Sequence, residues 1–129
     1  LLSLDALSEV NDGSASLEQR VRSYFDSNCA YCHNSTAAPE GTDFVLEYDT
    51  PLADAGVILG ATSKPLGLGM AARVVAPRDP RHSVLYQRLA GNEPTERMPP
   101  IGRTIVDAEA RETLVEWILD PLYSLQGVL

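Results

Sequence analysis

Two cysteines, two histidines, two methionines and one tryptophan are few residues of the kinds that carry metal or redox chemistry. Two Cys cannot make a disulfide framework. Two Cys and two His, with no second paired motif, fall short of the spaced ligand sets of structural zinc sites. Bases are also scarce. Ten Lys and Arg face 18 Asp and Glu, for a net charge of −8, which argues against nucleic acid or an anionic membrane as partner. No apolar run approaches the roughly 18 residues of a membrane-spanning helix. The chain opens Leu1-Leu2-Ser3, without an initiator Met or a charged segment before an apolar core. The expectation is a domain cut from a longer protein, any signal peptide having been cleaved or left outside the segment.

What is present suits one soluble globular domain: 129 residues, 44% apolar and 22% charged. Nine Pro and nine Gly predict short helices between long connections. Residues 1–16 scatter Ser, Asp, Asn and Gly among Leu, and read as a linker or loosely docked arm. Residues 17–129 form the domain. Residues 1–63 hold ten acids and two bases, and residues 64–129 hold eight of each, so the whole excess of negative charge lies in the first half.

Both cysteines lie in Cys29-Ala30-Tyr31-Cys32-His33. C-x-x-C-H is the attachment signature of c-type haem. On one helical turn, thiols three residues apart share a side and reach two vinyl groups, and the following imidazole projects at the iron. A thioredoxin-like site would need a βαβ setting, whereas the preceding segment looks helical. A disulfide across so short a loop would constrain little. Ser16-Leu17-Glu18-Gln19 fits a capping box, and Leu17, Val21, Tyr24, Phe25 and Asn28 follow helical spacing. An amphipathic helix of about three turns is therefore expected to run straight into the motif.

A haem carrier usually closes the sixth iron position, and a Met opposite His raises the reduction potential. Met98 sits in Arg97-Met98-Pro99-Pro100-Ile101-Gly102, where two prolines stiffen the loop; it is the preferred ligand. Met70, in Gly67-Leu68-Gly69-Met70-Ala71, reads as a gap-filling apolar side chain. His82, on the first turn after Asp79-Pro80, reads as a surface or capping histidine. Met70, His82 and an open site remain the alternatives.

A middle helix is expected from Pro80 to Leu89, with Val84, Leu85 and Leu89 inward and Gly91 beyond its end. Asp107 is placed to cap a last helix whose stripe is Ala110, Leu114, Trp117 and Ile118, with Asp120-Pro121 ending it. Helix, C-x-x-C-H, long connection, helix, Met-Pro-Pro loop and helix with Trp is an order that resembles the class I cytochrome c family over residues 17–119. Cys29, Cys32 and His33 match that family's haem attachment, and Met98 its axial Met. The resemblance implies a mainly α fold of three to five short helices around one covalently bound haem c. It also implies that the first and last helices cross near a haem edge, here through Tyr24-Phe25 against Trp117-Ile118. The stretch Arg73–Tyr86 is similar to modules fused to secreted bacterial dehydrogenases and carbohydrate-binding proteins.

The departure from compact members is the long connection, residues 34–78. Asp43–Tyr48 alternates imperfectly and has the look of an extended strand, and so long a connection is expected to serve a function. The expectation is that it wraps one haem face and a propionate edge, with Tyr48, Lys64, Arg73 and Arg103 as candidate propionate contacts.

The resulting expectation is a monomeric electron-transfer module, not itself an enzyme, in the bacterial periplasm or at the cell exterior. Cys29 and Cys32 would be the tethers, and His33 and Met98 the iron ligands. The resemblance implies a redox protein partner acting in sugar or polysaccharide oxidation, such as a quinoprotein dehydrogenase or a copper monooxygenase. The rival is a small haem enzyme or gas sensor, peroxidase-like, with an open sixth site. It would need a distal acid–base group, for which His82 is the one spare imidazole.

Overall fold

The computed structural model describes residues 7–36, 42–91, 98 and 108–120. Among these the protein is mainly helical: α1 spans Leu17–Asn28, α2 Val84–Ala90 and α3 Ala108–Leu119, with 3₁₀ turns at Leu52–Asp54 and Pro80–His82. The only β pairing among them is two isolated parallel bridges, Ile58 with Val75 and Arg73 with Ser83.

α1 begins where the sequence places it. The Ser16 hydroxyl accepts from the Gln19 amide at 3.1 Å, satisfying a donor that the first turn leaves without a helical partner. Val21 and Phe25 are buried, with Leu17 and Tyr24 partly so. Asn28, expected on the inward stripe, is exposed, and its amide bonds back to the Tyr24 carbonyl at 3.0 Å. A short polar side chain at the last turn gains more from that local bond than from burial. Residues before the helix lie against it: the Ser8 amide donates to the buried Ser23 hydroxyl, and Arg20 donates to the Val10 carbonyl.

α3 buries Ala110, Thr113, Leu114, Trp117 and Ile118, the expected stripe widened by one Thr. Asp107 lies outside the described residues. α1 and α3 pack through Phe25 and Trp117, whose rings meet edge to face with centroids 5.7 Å apart and planes at 78°. This geometry sets the positive edge of one ring on the negative face of the other. Val57 and Val75 complete the core from the long connection. The Arg78 amide donates to the Ile118 carbonyl at 2.8 Å, which satisfies an acceptor at the end of α3.

The middle helix is not continuous from Pro80 to Leu89. Asp79 caps a single 3₁₀ turn, accepting from the His82 amide. Ser83 then adopts extended backbone angles, φ −92° and ψ 107°, before α2 starts. The reason lies in Ser83. Its buried hydroxyl accepts from the Ala76 amide at 2.9 Å and donates to the Asp79 carbonyl at 2.8 Å. The chain on either side of it pairs with Arg73, through Arg73 N–H to His82 and Val84 N–H to Arg73. These bonds hold the residue out of helical geometry. Val84 and Leu89 point inward as expected, Leu85 is half-buried, and Gly91 is the C-cap.

Residues 42–47, expected as a strand, have no regular secondary structure. The Val45 amide donates to Ala55 and the Leu46 amide to His33, so the bonds that would build a ladder go to a turn and to the C-x-x-C-H motif. The next residues are held by α1. The buried Arg22 guanidinium donates to the carbonyls of Glu47, Tyr48 and Thr50, and the Asp26 carboxylate accepts from the Tyr48 amide at 2.9 Å. One turn apart on α1, the two side chains grip opposite polarities of the same loop. Replacing Arg22 with Met would keep the aliphatic stem and leave the three carbonyls without their donor. The expected loss is about 1–3 kcal/mol, read as a lower urea midpoint.

Candidate functional site

The C-x-x-C-H motif sits where α1 ends. Cys29 is its C-cap, with its amide bonded to the Phe25 carbonyl at 2.8 Å, and the Ala30 amide shares that acceptor. The chain then tightens: the Cys32 and His33 amides both return to the Cys29 carbonyl, at 3.1 and 2.9 Å. Cys29, Cys32 and His33 are thus carried on one turn fixed to the end of a packed helix.

Their environments differ. Both thiols are free, Cys29 half-buried against the core and Cys32 exposed. Burial, with the neighbouring Cys32, pushes the Cys29 thiol up to about 12, which keeps it protonated near neutral pH. That is not the low-pKa setting of a catalytic thiol. Tyr31, between the cysteines, is 91% exposed. Among the described residues, no three Cys, His, Asp or Glu side chains gather where they could hold a metal ion.

His33 is half-buried. The Phe44 ring lies on its imidazole, centroids 4.7 Å apart and planes 11° from parallel. Nδ1 is buried with no hydrogen-bond partner. Burial, and secondarily the Arg88 cation, lowers the pKa of the imidazole below its usual 6.5. Both effects favour the neutral form of His33, the form that ligates metals.

Met98 is half-buried, and its amide donates to the Arg88 carbonyl at 3.0 Å. Arg88 lies on α2, so the backbone at Met98 is tied to that helix. The remainder of the Met-Pro-Pro loop and Arg103 lie outside the described residues.

The other candidates are placed as follows. Met70 was expected to fill a gap, but it is 96% exposed. It stands on a loop with left-handed backbone at Leu66, Gly67 and Gly69, which turns the chain outward instead of against the core. His82 is engaged by the N-cap residue Asp79, Nδ1 to Oδ2 at 2.6 Å. Of the propionate candidates, Arg73 donates to the backbone carbonyls of Met70 and Ala72, Lys64 is exposed and Tyr48 half-buried.

Sequence reasoning passed over Phe44, Arg22 and Asp26. Phe44 belongs to a segment read for its alternation, and no local pattern ties it to His33. A buried Arg and a loop-binding Asp on α1 have the same spacing as solvent-facing charges, so no signal in the chain distinguishes them.

No protein-family model, no curated protein and no solved structure matches the chain.

Proposed function

We propose that this chain is an electron-transfer module. It carries one covalently bound haem c on Cys29 and Cys32, with His33 and Met98 as iron ligands. The observation that carries the reading is the C-x-x-C-H turn itself, closed on the end of α1 with two free thiols and His33 next to the second of them. The residues present fit the group. Haem attachment asks for thiols at the porphyrin periphery and imidazole at its centre, not for three ligands about one point. His33 follows Cys32 directly on the same turn, its amide bonded to the Cys29 carbonyl at 2.9 Å, so thiols and imidazole are carried together. The Phe25–Trp117 contact between the first and last helices is of the kind that the cytochrome c resemblance leads one to expect.

When bound, the haem supplies a one-electron couple; the protein supplies its tether, its ligands and an apolar surround. Nothing in this role requires a substrate at iron, so the chain serves as a carrier and not as an enzyme. A bacterial periplasmic or cell-exterior setting follows from haem attachment, and the partner is an oxidoreductase such as a quinoprotein dehydrogenase or a copper monooxygenase, in sugar or polysaccharide oxidation. The acidic first half would favour a partner with a basic docking surface, raising encounter rate more than affinity.

The test is production of the chain alongside a c-type haem attachment system. Mass spectrometry is expected to show one haem retained after acid extraction, and the ferric spectrum to be low-spin. A chain without covalent haem would overturn the reading. A haem-bearing but high-spin chain would hand it to the rival, a haem enzyme or gas sensor with an open sixth site.

A further inference from the structure

An imidazole that ligates a metal is ordinarily fixed by a hydrogen bond from its second nitrogen to a carboxylate, carbonyl or water. His33 has a different restraint. Its Nδ1 is buried without a partner, and its face is covered by Phe44 at 4.7 Å. Turning the imidazole about its Cβ–Cγ bond would drive its edge into that ring. At this spacing and near-parallel angle the stack is a steric stop as well as an attraction.

The stop is useful only if Phe44 is itself held, and its segment is anchored on three sides. The Leu46 amide donates to the His33 carbonyl at 2.8 Å, joining the segment to the residue it covers. The Val45 amide donates to Ala55 at 2.9 Å. Beyond these, Arg22 and Asp26 hold Glu47–Thr50 to α1. Gly56 lets the backbones meet. It has φ +74°, and a Cβ there would stand 2.7 Å from the Asp43 carbonyl oxygen and 3.4 Å from Phe44 Cα.

We propose that Phe44 is a positioning residue for His33, setting the imidazole plane by stacking where a hydrogen bond would otherwise do so. The inference rests on the haem reading and deepens it: the plane of an axial imidazole decides its overlap with the iron orbitals, and so the electronic structure of the couple. The long connection thereby has a task at the site, carried by Phe44 with Gly56 and Arg22 behind it.

The experiment uses the full chain loaded with haem and three variants: Phe44→Tyr, which keeps the flat ring, Phe44→Leu, which keeps apolar bulk without a flat face, and Gly56→Ala, which pushes the segment aside with Phe44 intact. Covalent haem is counted by mass, and the ferric protein is examined by low-temperature electron paramagnetic resonance and by redox titration. Wild type and Phe44→Tyr are expected to share a single set of g values and one midpoint. Phe44→Leu and Gly56→Ala are expected to keep their haem but to show broadened or multiple g sets and a displaced midpoint. Haem-bearing Phe44→Leu with wild-type g values and midpoint would overturn the proposal. Should that variant fail to fold, Phe44→Tyr decides: a spectrum unlike wild type would overturn the proposal, and one matching it would uphold the stack. A wild-type chain that carries no haem is a separate outcome, read from the mass alone; it overturns the functional reading and this inference with it.

Discussion

A chain in which Cys29 and Cys32 are both serine is expected to carry no haem after acid extraction and to lose most of its helical signal. The first part follows from chemistry: serine forms no thioether with a vinyl group, so only the reversible bonds of His33 and Met98 to iron would remain. The second follows from the size of the elements. Among the described residues the α-helices are 12, 7 and 12 residues long, at or below the roughly 12–15 residues that remain marginal in water without tertiary packing. Among the described residues the core joins Val21 and Phe25 of α1 and Leu114, Trp117 and Ile118 of α3 to Leu46, Val57, Val74 and Val75 of the long connection, which has no α-helix or strand of its own to hold them in place. On α2, Leu85 and Tyr86 are only partly buried. A bound porphyrin adds apolar contact, and a group bound to the native state alone stabilises it by mass action. Far-ultraviolet dichroism on heating is the measurement. A double variant with full helical signal and a cooperative transition would show that the protein's own core suffices without the haem.

The parts of this fold legible in the sequence are those whose stabilising contacts are local and periodic. α1 could be read because Ser16 caps it and Val21 and Phe25 repeat at helical spacing; α3 could be read because Ala110, Leu114, Trp117 and Ile118 make one stripe. The motif on Cys29, Cys32 and His33 was legible because three residue types at fixed spacing answer one chemistry. The middle helix misled because Asp79-Pro80 is a true start signal, but for a single turn. Ser83 stops it with bonds to Ala76 and Asp79 that no pattern of hydrophobicity encodes. Residues 42–50 were opaque for a related reason. Their order depends on Arg22, Asp26 and Ala55, which are distant in the chain and ordinary in composition. Tertiary bonds from polar side chains to backbone leave no periodic trace. Met70 misled in the opposite sense: an apolar side chain in an apolar stretch reads as buried, while it stands in solvent directly after left-handed backbone at Leu66, Gly67 and Gly69.

Met98→Ala is expected to leave the haem attached and to change the iron. Attachment rests on Cys29 and Cys32, so the mass of the loaded protein should fall only by the difference between the two side chains. The loop should also stay in place at this point, because Met98 is tied to α2 by its backbone, amide to the Arg88 carbonyl at 3.0 Å, a bond that alanine keeps. What is removed is the thioether alone. Loss of a Met opposite His lowers the reduction potential and opens the sixth position; the expected readings are a fall in midpoint and a high-spin fraction in the ferric spectrum. Met70→Ala serves as the control, since a side chain 96% exposed has no contact to lose and should leave both readings unchanged. His82→Ala is a second control, its imidazole being engaged by Asp79 at 2.6 Å. An unchanged spectrum for Met98→Ala, with a shifted one for Met70→Ala or His82→Ala, would transfer the ligand role to the residue that moved it. An unchanged spectrum in all three would mean that none of these side chains closes the sixth position.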